Sequence, residues 1–397
     1  MKLIFLLALT LLTMTAEAGK YRAGVAKRDI SPKPKVDLLY TIMGQEKSFS
    51  SIHDPLFVKI LALSDGDKHI AFVSLDLLYL NTQHHQEIQQ LLGKQYDHVL
   101  VTVTHTHSGY YNEKKWPSLK NKILEAASSA SKSMVSVEIG VAQGHVDEAY
   151  NRIIHKDGKA EMLWTNPQRQ ASREMDKTVG VIHLKTRDGS TLISLVNYPA
   201  HPVITMDLNN IVISADYPGY LAMAMASRLG GETIFFTGAA GDINPYDADT
   251  KPTSLALEKS KLVAEAIAEE VVNKIAAIKQ YRTEGKFSFE SHAFNDPIAL
   301  VSTISLTEDV FLAGFPGEYF NDFALELKRN SPFDYTFFLG YCNGYIGYVP
   351  TVEAQKFGGY GAELDKLKVT QTTGLDHVNY AVEAAKRLYQ RNAIRMK

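Results

Sequence analysis

Short runs of apolar and β-branched residues alternate with longer amphipathic segments along most of the chain. A continuous apolar run of this length is typical of a buried strand, and apolar positions that recur every three or four residues indicate a helix. The sequence predicts strands over residues 24–26, 56–63, 69–75, 99–103, 135–141, 179–184, 192–197, 233–237, 310–315 and 335–339. It predicts helices over residues 83–92, 119–131, 217–229, 255–279, 318–328 and 377–391. This alternation predicts a mixed α/β fold of layered sheets flanked by helices.

The helix predicted over residues 255–279 has the clearest periodicity. Its apolar positions are Val263, Ile267, Val271, Ile275 and Ile278. Because these positions are three or four residues apart, we expect one stripe of this helix to face the core. No Pro/Ser/Gly-rich linker, charge block or internal repeat divides the sequence. We therefore expect residues 19–397 to form a single domain.

The first residues have the pattern of a secretory signal peptide. A basic start at Lys2 precedes an apolar stretch over residues 3–14, and Ala16-Glu17-Ala18 forms a small-x-small cleavage motif. This pattern predicts a signal peptide over residues 1–18, cleavage after Ala18, and a secreted or periplasmic protein. The apolar stretch is shorter than the roughly 20 residues that a membrane-spanning helix needs. We expect no transmembrane segment later in the chain either.

Composition narrows the possible functions. Hydrophobic residues make up 45% of the 397 residues and charged residues 22%, as in ordinary globular proteins. The formal net charge is −2, so there is no electrostatic argument for nucleic acid as a partner. Cys342 is the sole cysteine beside 13 histidines, so histidine and oxygen ligands are the expected route to a metal. These patterns carry no signal for the oligomeric state.

The densest polar motif is Thr104-His105-Thr106-His107-Ser108-Gly109, directly after the strand predicted over residues 99–103. In an extended strand end, His105 and His107 would point to the same side, since side chains alternate with a period of two. One imidazole could then bind a metal while the other lies beside a substrate. On this motif alone, a pair of surface histidines in a turn is an equally good reading.

Four more segments repeat the layout of a strand followed by a polar loop. His201 lies in residues 197–202 between an alanine and a proline, and residues 238–245 are rich in small residues. Glu318 follows a Pro-Gly pair at the start of a predicted helix, and residues 341–350 are crowded with tyrosine and glycine. Taken singly, each has a structural explanation, such as a hydrogen-bonded core histidine or a helix-start carboxylate.

Taken in order, these motifs resemble the neutral (non-lysosomal) ceramidase family, exported zinc-dependent amidases that cleave the N-acyl bond of ceramide. The resemblance is carried by residues 23–32, 73–76, 104–109, 150–152, 197–202, 241–245, 315–318 and 348–360. It implies that residues 19–397 have the fold of the family's zinc-hydrolase catalytic domain. We expect no counterpart of the family's C-terminal immunoglobulin-like domain.

The resemblance also implies roles for individual residues. It implies one zinc ion per chain, held by His105, His201, Glu318 and Tyr348. His107, Arg152 and Tyr360 match polar residues beside the metal, and Asp242 matches an aspartate of the active-site segment. The family's serine in that segment is Asn244 here, and an amide cannot act as a nucleophile. A mechanism with zinc-bound water as nucleophile survives this change, whereas a seryl intermediate does not.

The implied function is hydrolysis of a carbon–nitrogen bond in a lipid or small-molecule N-acyl substrate, as in sphingolipid metabolism. Two alternatives stay open. A dinuclear metallophosphoesterase would use Asp76, His105, His107, His201 and Asp242. An exported binding relative would keep the fold without catalysis. A serine hydrolase is disfavoured because the sequence has no Gly-x-Ser-x-Gly motif.

Overall fold

The computed structural model describes residues 20–33, 39–40, 46–49, 51–109, 113–207, 211–295 and 298–395, so the predicted signal peptide lies outside the described residues. In chain order the described strands β1 to β22 are Arg22–Asp29, Leu39–Tyr40, Glu46–Lys47, Ser51–Ile52, Phe57–Ser64, His69–Leu75, His98–Val103, Val135–His145, Ala149–Asn151, Ile153–Lys156, Lys159–Met162, Thr178–Thr186, Thr191–Tyr198, Val212–Ile213, Glu232–Thr237, Ile243–Pro245, Ser288–Asn295, Ile298–Thr307, Val310–Gly314, Glu318–Tyr319, Tyr335–Leu339 and Tyr348–Val349. The described helices α1 to α7 are Thr82–Leu92, Trp116–Lys132, Asp216–Leu229, Thr253–Ala276, Asp322–Asn330, Val352–Phe357 and Thr373–Arg395.

Two sheets organise these elements. The larger has eight strands in the order β15-β13-β12-β8-β1-β5-β6-β7, and the smaller has four in the order β17-β18-β19-β21. Most neighbours are antiparallel, but β6/β7, β13/β15 and β19/β21 pair in parallel. Each parallel pair brings two carboxyl ends to the same sheet edge, and loops at such edges can share a site.

The two sheets pack face to face over an apolar core. Phe72 and Phe236 of the larger sheet contact each other in this core at a ring-centroid distance of 6.0 Å. Leu312 and Leu339 of the smaller sheet belong to the same apolar cluster. Helices α1 to α4 cover the outer face of the larger sheet, and α5 and α7 cover the smaller one. The expected mixed α/β fold with layered sheets and flanking helices is confirmed.

Burial on both faces explains why several strands read as unbroken apolar runs. All of β6 except its first residue is buried, because helices lie on one side and the second sheet on the other. The prediction for residues 69–75 therefore matched this strand from end to end. In α4 the first four positions of the predicted stripe are confirmed, since Val263, Ile267, Val271 and Ile275 are buried, whereas Ile278 lies beyond the end of the helix at Ala276 and is half-buried.

Several short elements were not predicted, among them β9, β10, β11 and α6, and two larger differences bear on the core and the site. The β17–β18 hairpin was not predicted, because exposed and half-buried polar positions dominate β17 and conceal its strand character. The helix predicted over residues 318–328 was wrong at its start. Glu318 and Tyr319 instead form β20, paired in parallel with β22, and the helix begins at Asp322.

Among the described residues, no helix combines the length and the apolar composition that crossing a bilayer requires.

The buried stripe of α4 predicts a stability difference between two neighbouring positions. Ile267 is 0% exposed and Leu262 is 55% exposed. Ile267→Ala should lower the free energy of unfolding by about 2–5 kcal/mol, because the lost methylene groups leave a cavity. Leu262→Ala, the matched control, should change it by no more than about 0.5 kcal/mol. Urea denaturation measures both, and equal effects would contradict this packing of α4.

Candidate active site

The polar motifs of the sequence meet where parallel strands end. Residues 104–107 follow β7, His201 follows β13, residues 238–242 follow β15, Glu318 follows β19, and residues 341–348 follow β21. Hydrogen bonds join these loops into one unit. The Thr237 hydroxyl donates to the Thr104 carbonyl at 2.7 Å, and Gly340 N donates to the Thr237 carbonyl at 2.9 Å.

His105 is fixed in one orientation by its backbone and its ring. Strand β7 ends at Val103, and His105 has φ of +64°, so the expected extended strand end at this position is wrong. The buried ring stacks on Tyr341 at a centroid distance of 4.1 Å. Its Nδ1 lies 2.5 Å from the Leu78 carbonyl oxygen. Because a carbonyl can only accept, Nδ1 carries a hydrogen, and Nε2 is the ring nitrogen that faces Glu318.

His201 has the same arrangement. The ring is fully buried, and its Nδ1 donates to the carbonyl oxygen of Ile243 at 3.1 Å. The backbone N–H of His201 donates to the same oxygen, which fixes the residue at two points. Its Nε2 likewise faces Glu318. Burial lowers the pKa of His201 to about 4, so the ring is neutral at pH 7.

Glu318 faces both histidines because β20 pairs with β22. Glu318 N donates to the Gly347 carbonyl at 2.9 Å, and this bond holds residue 318 in an extended strand, not in a helix. The buried carboxylate places Oε2 at 3.0 Å from His201 Nε2 and at 3.4 Å from His105 Nε2. Its Oε1 accepts the Tyr345 hydroxyl at 2.5 Å. This oxygen-to-nitrogen geometry was not visible in the sequence.

These contacts form a candidate metal site. Two Nε2 atoms and a carboxylate oxygen converge, and a cation between them would be bound by all three. Tetrahedral zinc with bonds of about 2.0–2.1 Å separates its ligand atoms by roughly 3.4 Å. The separations of 3.0 and 3.4 Å about Glu318 Oε2 are close to that value.

His107 lies at the edge of this group. Its Nε2 is 3.3 Å from His105 Nε2, and His105, His107 and His201 offer ligand atoms within 4.8 Å of one another. Its buried Nδ1 has no hydrogen-bond partner among the described residues. Burial and the neighbouring histidines hold the pKa of His107 well below its ordinary value, so the ring is neutral. It can complete a metal site or move a proton.

Arg152 lies behind the metal group with its side chain buried. Its Nη2 donates to the Gly241 carbonyl at 2.7 Å and to the Tyr348 hydroxyl at 3.2 Å, and its Nη1 donates to Asn244 Oδ1 at 3.2 Å. Tyr348 is the register partner of Glu318 in the β20/β22 pair. Arg152 therefore connects the Asn244 position to the edge of the metal group.

Two half-exposed aromatic residues cover Arg152. Trp164 is 48% exposed and Tyr360 is 47% exposed, and their rings meet edge to face at 5.0 Å. The Arg152 guanidinium carbon lies 5.3 Å from the Trp164 ring centroid and 5.5 Å from that of Tyr360. The Asn244 amide donates to the Trp164 carbonyl at 3.0 Å. Asn244 thereby holds the Arg152 side chain and the Trp164 backbone together.

The two aspartates of the dinuclear alternative have other partners. Asp242 Oδ1 accepts Asn321 N at 2.7 Å, and Oδ2 accepts Asn151 Nδ2 at 2.6 Å. Burial raises the pKa of Asp242 to about 6. Asp76 Oδ2 accepts Phe57 N at 2.9 Å. Among the described residues, the side chains whose ligand atoms lie close enough together to hold a metal ion are His105, His107 and His201, and neither aspartate belongs to this group.

Close packing behind the site depends on a glycine. A Cβ at Gly241 would lie 2.4 Å from the Glu318 carbonyl oxygen, so any larger residue would push β20 away. Sequence reasoning noted the small residues here but missed Tyr341 and Tyr345, which support His105 and Glu318. The tyrosine-rich stretch was the available signal, but nothing in it distinguished these two tyrosines from core residues.

Comparisons with known proteins find a family and solved structures that are similar to this chain. Residues 21–264 match the family model described as neutral/alkaline non-lysosomal ceramidase, N-terminal. Neutral ceramidase A of Dictyostelium discoideum is 22% identical over 264 residues, which are 58% of this chain and 36% of that protein. The chain thus aligns with little more than a third of that relative's length.

Solved structures share the fold. A crystal structure of neutral ceramidase from Pseudomonas aeruginosa matches with a TM-score of 0.77 at 15% identity, over 94% of this chain and 75% of that chain. A ceramidase complexed with C2 matches with a TM-score of 0.78 at 14% identity, over 94% of this chain and 76% of that chain.

The converging nitrogen and oxygen atoms predict metal-dependent stability. Free zinc at 100 times its Kd should stabilise the folded protein by about 2.7 kcal/mol, because it binds only the folded site. His201→Ala should abolish this increase in Tm, and Glu318→Gln should reduce it while the shape of the side chain is kept. The exposed His69 provides the control, since His69→Ala should respond to zinc like the unmodified protein. An unchanged zinc response in His201→Ala would contradict the assignment.

Proposed function

The chain belongs to the neutral/alkaline non-lysosomal ceramidase family, and on that premise we propose that it is an exported zinc-dependent hydrolase of N-acyl amide bonds. The observation that carries the proposal is the convergence of His105 Nε2 and His201 Nε2 on one oxygen of Glu318, with a buried arginine beside them. Such a pocket can bind one metal ion and stabilise negative charge that develops on a carbonyl oxygen.

His105, His201 and Glu318 would hold one zinc ion per chain, with Tyr348 as the fourth protein ligand. When bound, zinc supplies a Lewis acid that polarises the amide carbonyl and lowers the pKa of water to about 7. The Nδ1 bonds of the two histidines keep their ring orientation fixed, which is the usual function of such outer hydrogen bonds. Tyr345 fixes the carboxylate in the same way through Oε1.

His107 moves the proton. The ring is neutral and its Nε2 faces the metal group at 3.3 Å from His105 Nε2, so this nitrogen can receive a proton from the attacking water. The water oxygen bonds to the amide carbon, the carbon–nitrogen bond breaks, and His107 returns the proton to the leaving amine. The products are a carboxylic acid and an amine, and no group other than water is consumed.

Arg152 and Tyr360 stabilise the oxyanion of the tetrahedral intermediate. Arg152 is held by three acceptors before the substrate arrives, so little reorganisation is needed when charge develops. Tyr360 lies against Tyr348 at a centroid distance of 5.3 Å, which brings its hydroxyl-bearing ring to the same pocket. Asp242 has a positioning role, because its carboxylate accepts hydrogen bonds from both Asn151 and Asn321.

Asn244 holds Arg152 in place of a nucleophilic serine. Its Oδ1 accepts from Arg152 and its amide donates to Trp164, so both ends of the side chain are engaged. An amide cannot form an acyl intermediate, and water is therefore the nucleophile. The substrate class is an N-acyl amide, of a lipid or of a smaller molecule.

The mechanism predicts different effects for two neighbouring polar residues. With zinc bound, the protein should cleave N-acyl amides, and His107→Ala should lower kcat by about 10²–10⁴-fold while zinc content is kept, because proton transfer is lost. Asn244→Ala removes a neutral hydrogen-bond partner of Arg152 and should lower kcat/KM by roughly tenfold. Release of the free amine, measured together with bound zinc, tests both variants.

Two outcomes would contradict this mechanism. Full activity in the zinc-free protein would exclude the metal-dependent reaction. Loss of activity in Asn244→Ala as complete as in His107→Ala, with normal zinc content, would show that Asn244 takes part in the chemistry itself.

A further inference from the structure

Arg152 carries a buried charge that no carboxylate of the described residues contacts directly, and the Glu318 carboxylate acts on it only at longer range. Its side chain is 4% exposed, and its three hydrogen-bond acceptors are a carbonyl, an amide oxygen and a phenol. Within the part of the chain that the structure describes, none of the ion pairs includes Arg152. A buried charge is costly unless an opposite charge compensates it.

One donor of the guanidinium is also unused. The buried Nε of Arg152 has no hydrogen-bond partner among the described residues. Unsatisfied buried donors are rare in native structures and point to a group that is absent from the structure. Guanidinium groups match carboxylates especially well, because two parallel N–H groups can bind two oxygens.

The two aromatic residues that cover this guanidinium lie at the protein surface. Trp164 and Tyr360 are each about half exposed, and no side-chain hydrogen bond of the Trp164 indole is seen among the described contacts. Trp164 is held through its backbone carbonyl by Asn244, so a change in the rotamer of its side chain need not break this hydrogen bond. A ligand that enters from solvent can therefore reach Arg152 by displacing the indole.

We propose that Arg152 binds a carboxylate of the substrate, so that the substrates are N-acyl amino acids. This inference rests on the proposed function. In an N-acyl amino acid the carboxylate lies on the carbon attached to the scissile nitrogen. Arg152 donates a hydrogen bond to the Tyr348 hydroxyl. Tyr348 is the strand-register partner of Glu318, which belongs to the metal group. A substrate whose carbonyl lies at the metal group therefore places its carboxylate near Arg152.

The reaction is hydrolysis and it balances without a further reactant. Water adds to the acyl carbon, the carbon–nitrogen bond breaks, and the proton passes through His107 to the amino nitrogen. A fatty or other carboxylic acid and a free amino acid leave. Trp164 and Tyr360 then line the side of the pocket that receives the amino acid.

The test compares two substrates that differ only in charge. N-lauroylglycine and N-lauroylglycinamide have the same acyl chain, but only the first has a carboxylate. The protein should prefer N-lauroylglycine in kcat/KM by roughly tenfold to a hundredfold, the range that hydrogen bonds to charged groups contribute. Arg152→Gln should bring the ratio close to one, and Arg152→Lys, which keeps the charge, should retain part of it.

A result of equal losses on both substrates in Arg152→Gln would overturn the inference, because Arg152 would then act on the oxyanion alone. A preference for the neutral amide in the unmodified protein would overturn it as well. Neither result would contradict the proposed function, since amide hydrolysis would still be observed. Loss of all amide hydrolysis would count against the proposed function, and the following binding measurement would then decide about the carboxylate.

Trp164 reports binding without catalysis. The chain has 2 tryptophans, and Trp116 is a buried residue, so Trp116→Phe leaves Trp164 as the single tryptophan, which excitation at the red edge of the absorption band observes apart from tyrosine. Dodecanesulfonylglycine and its carboxamide resist hydrolysis and form the matched pair of ligands. Dodecanesulfonylglycine should shift the emission of Trp164 and bind the zinc-loaded protein at least tenfold more tightly than its carboxamide does. Arg152→Gln should remove this difference in affinity. Equal affinity for both ligands would overturn the inference.

Discussion

The active site depends on two hydrogen bonds that orient histidines. Leu78 and Ile243 each offer a main-chain carbonyl oxygen to the Nδ1 of a histidine, which leaves both Nε2 atoms facing Glu318. The two carbonyls follow β6 and β15 in the chain, and these strands lie near opposite ends of the strand order of the larger sheet. Packing of the two sheets brings Glu318 from the other side. The site thus forms only when both sheets and their loops are in place.

The fold was largely predictable from the sequence, because buried strands and amphipathic helices leave clear patterns. Strand β6 and the stripe of α4 were predicted from apolar spacing alone. The failures have a common physical cause. Strand β17 has a mostly polar, partly exposed sequence, and Glu318 follows a Pro-Gly pair that is typical of a helix start. In both places strand pairing overrides the local pattern, since β17 pairs with β18, the next strand along the chain, and β20 pairs with the more distant β22.

The candidate site was predictable to a smaller extent. The His-x-His pattern correctly indicated that His105 and His107 would lie together, but the turn at His105, not an extended strand, brings them there. The roles assigned to the residues came from a family resemblance and remain proposals. Local spacing carried no information about Tyr345 on Glu318, because their contact depends on a strand pair between distant parts of the chain.

The central claim is that one metal ion lies among His105, His201 and Glu318. Crystals grown with zinc and measured on both sides of the zinc absorption edge test it most directly. One anomalous peak is expected, within bonding distance of His105 Nε2, His201 Nε2 and Glu318 Oε2. Two peaks about 3.5–4 Å apart would indicate a dinuclear centre instead. A peak elsewhere, or none at this position, would contradict the account.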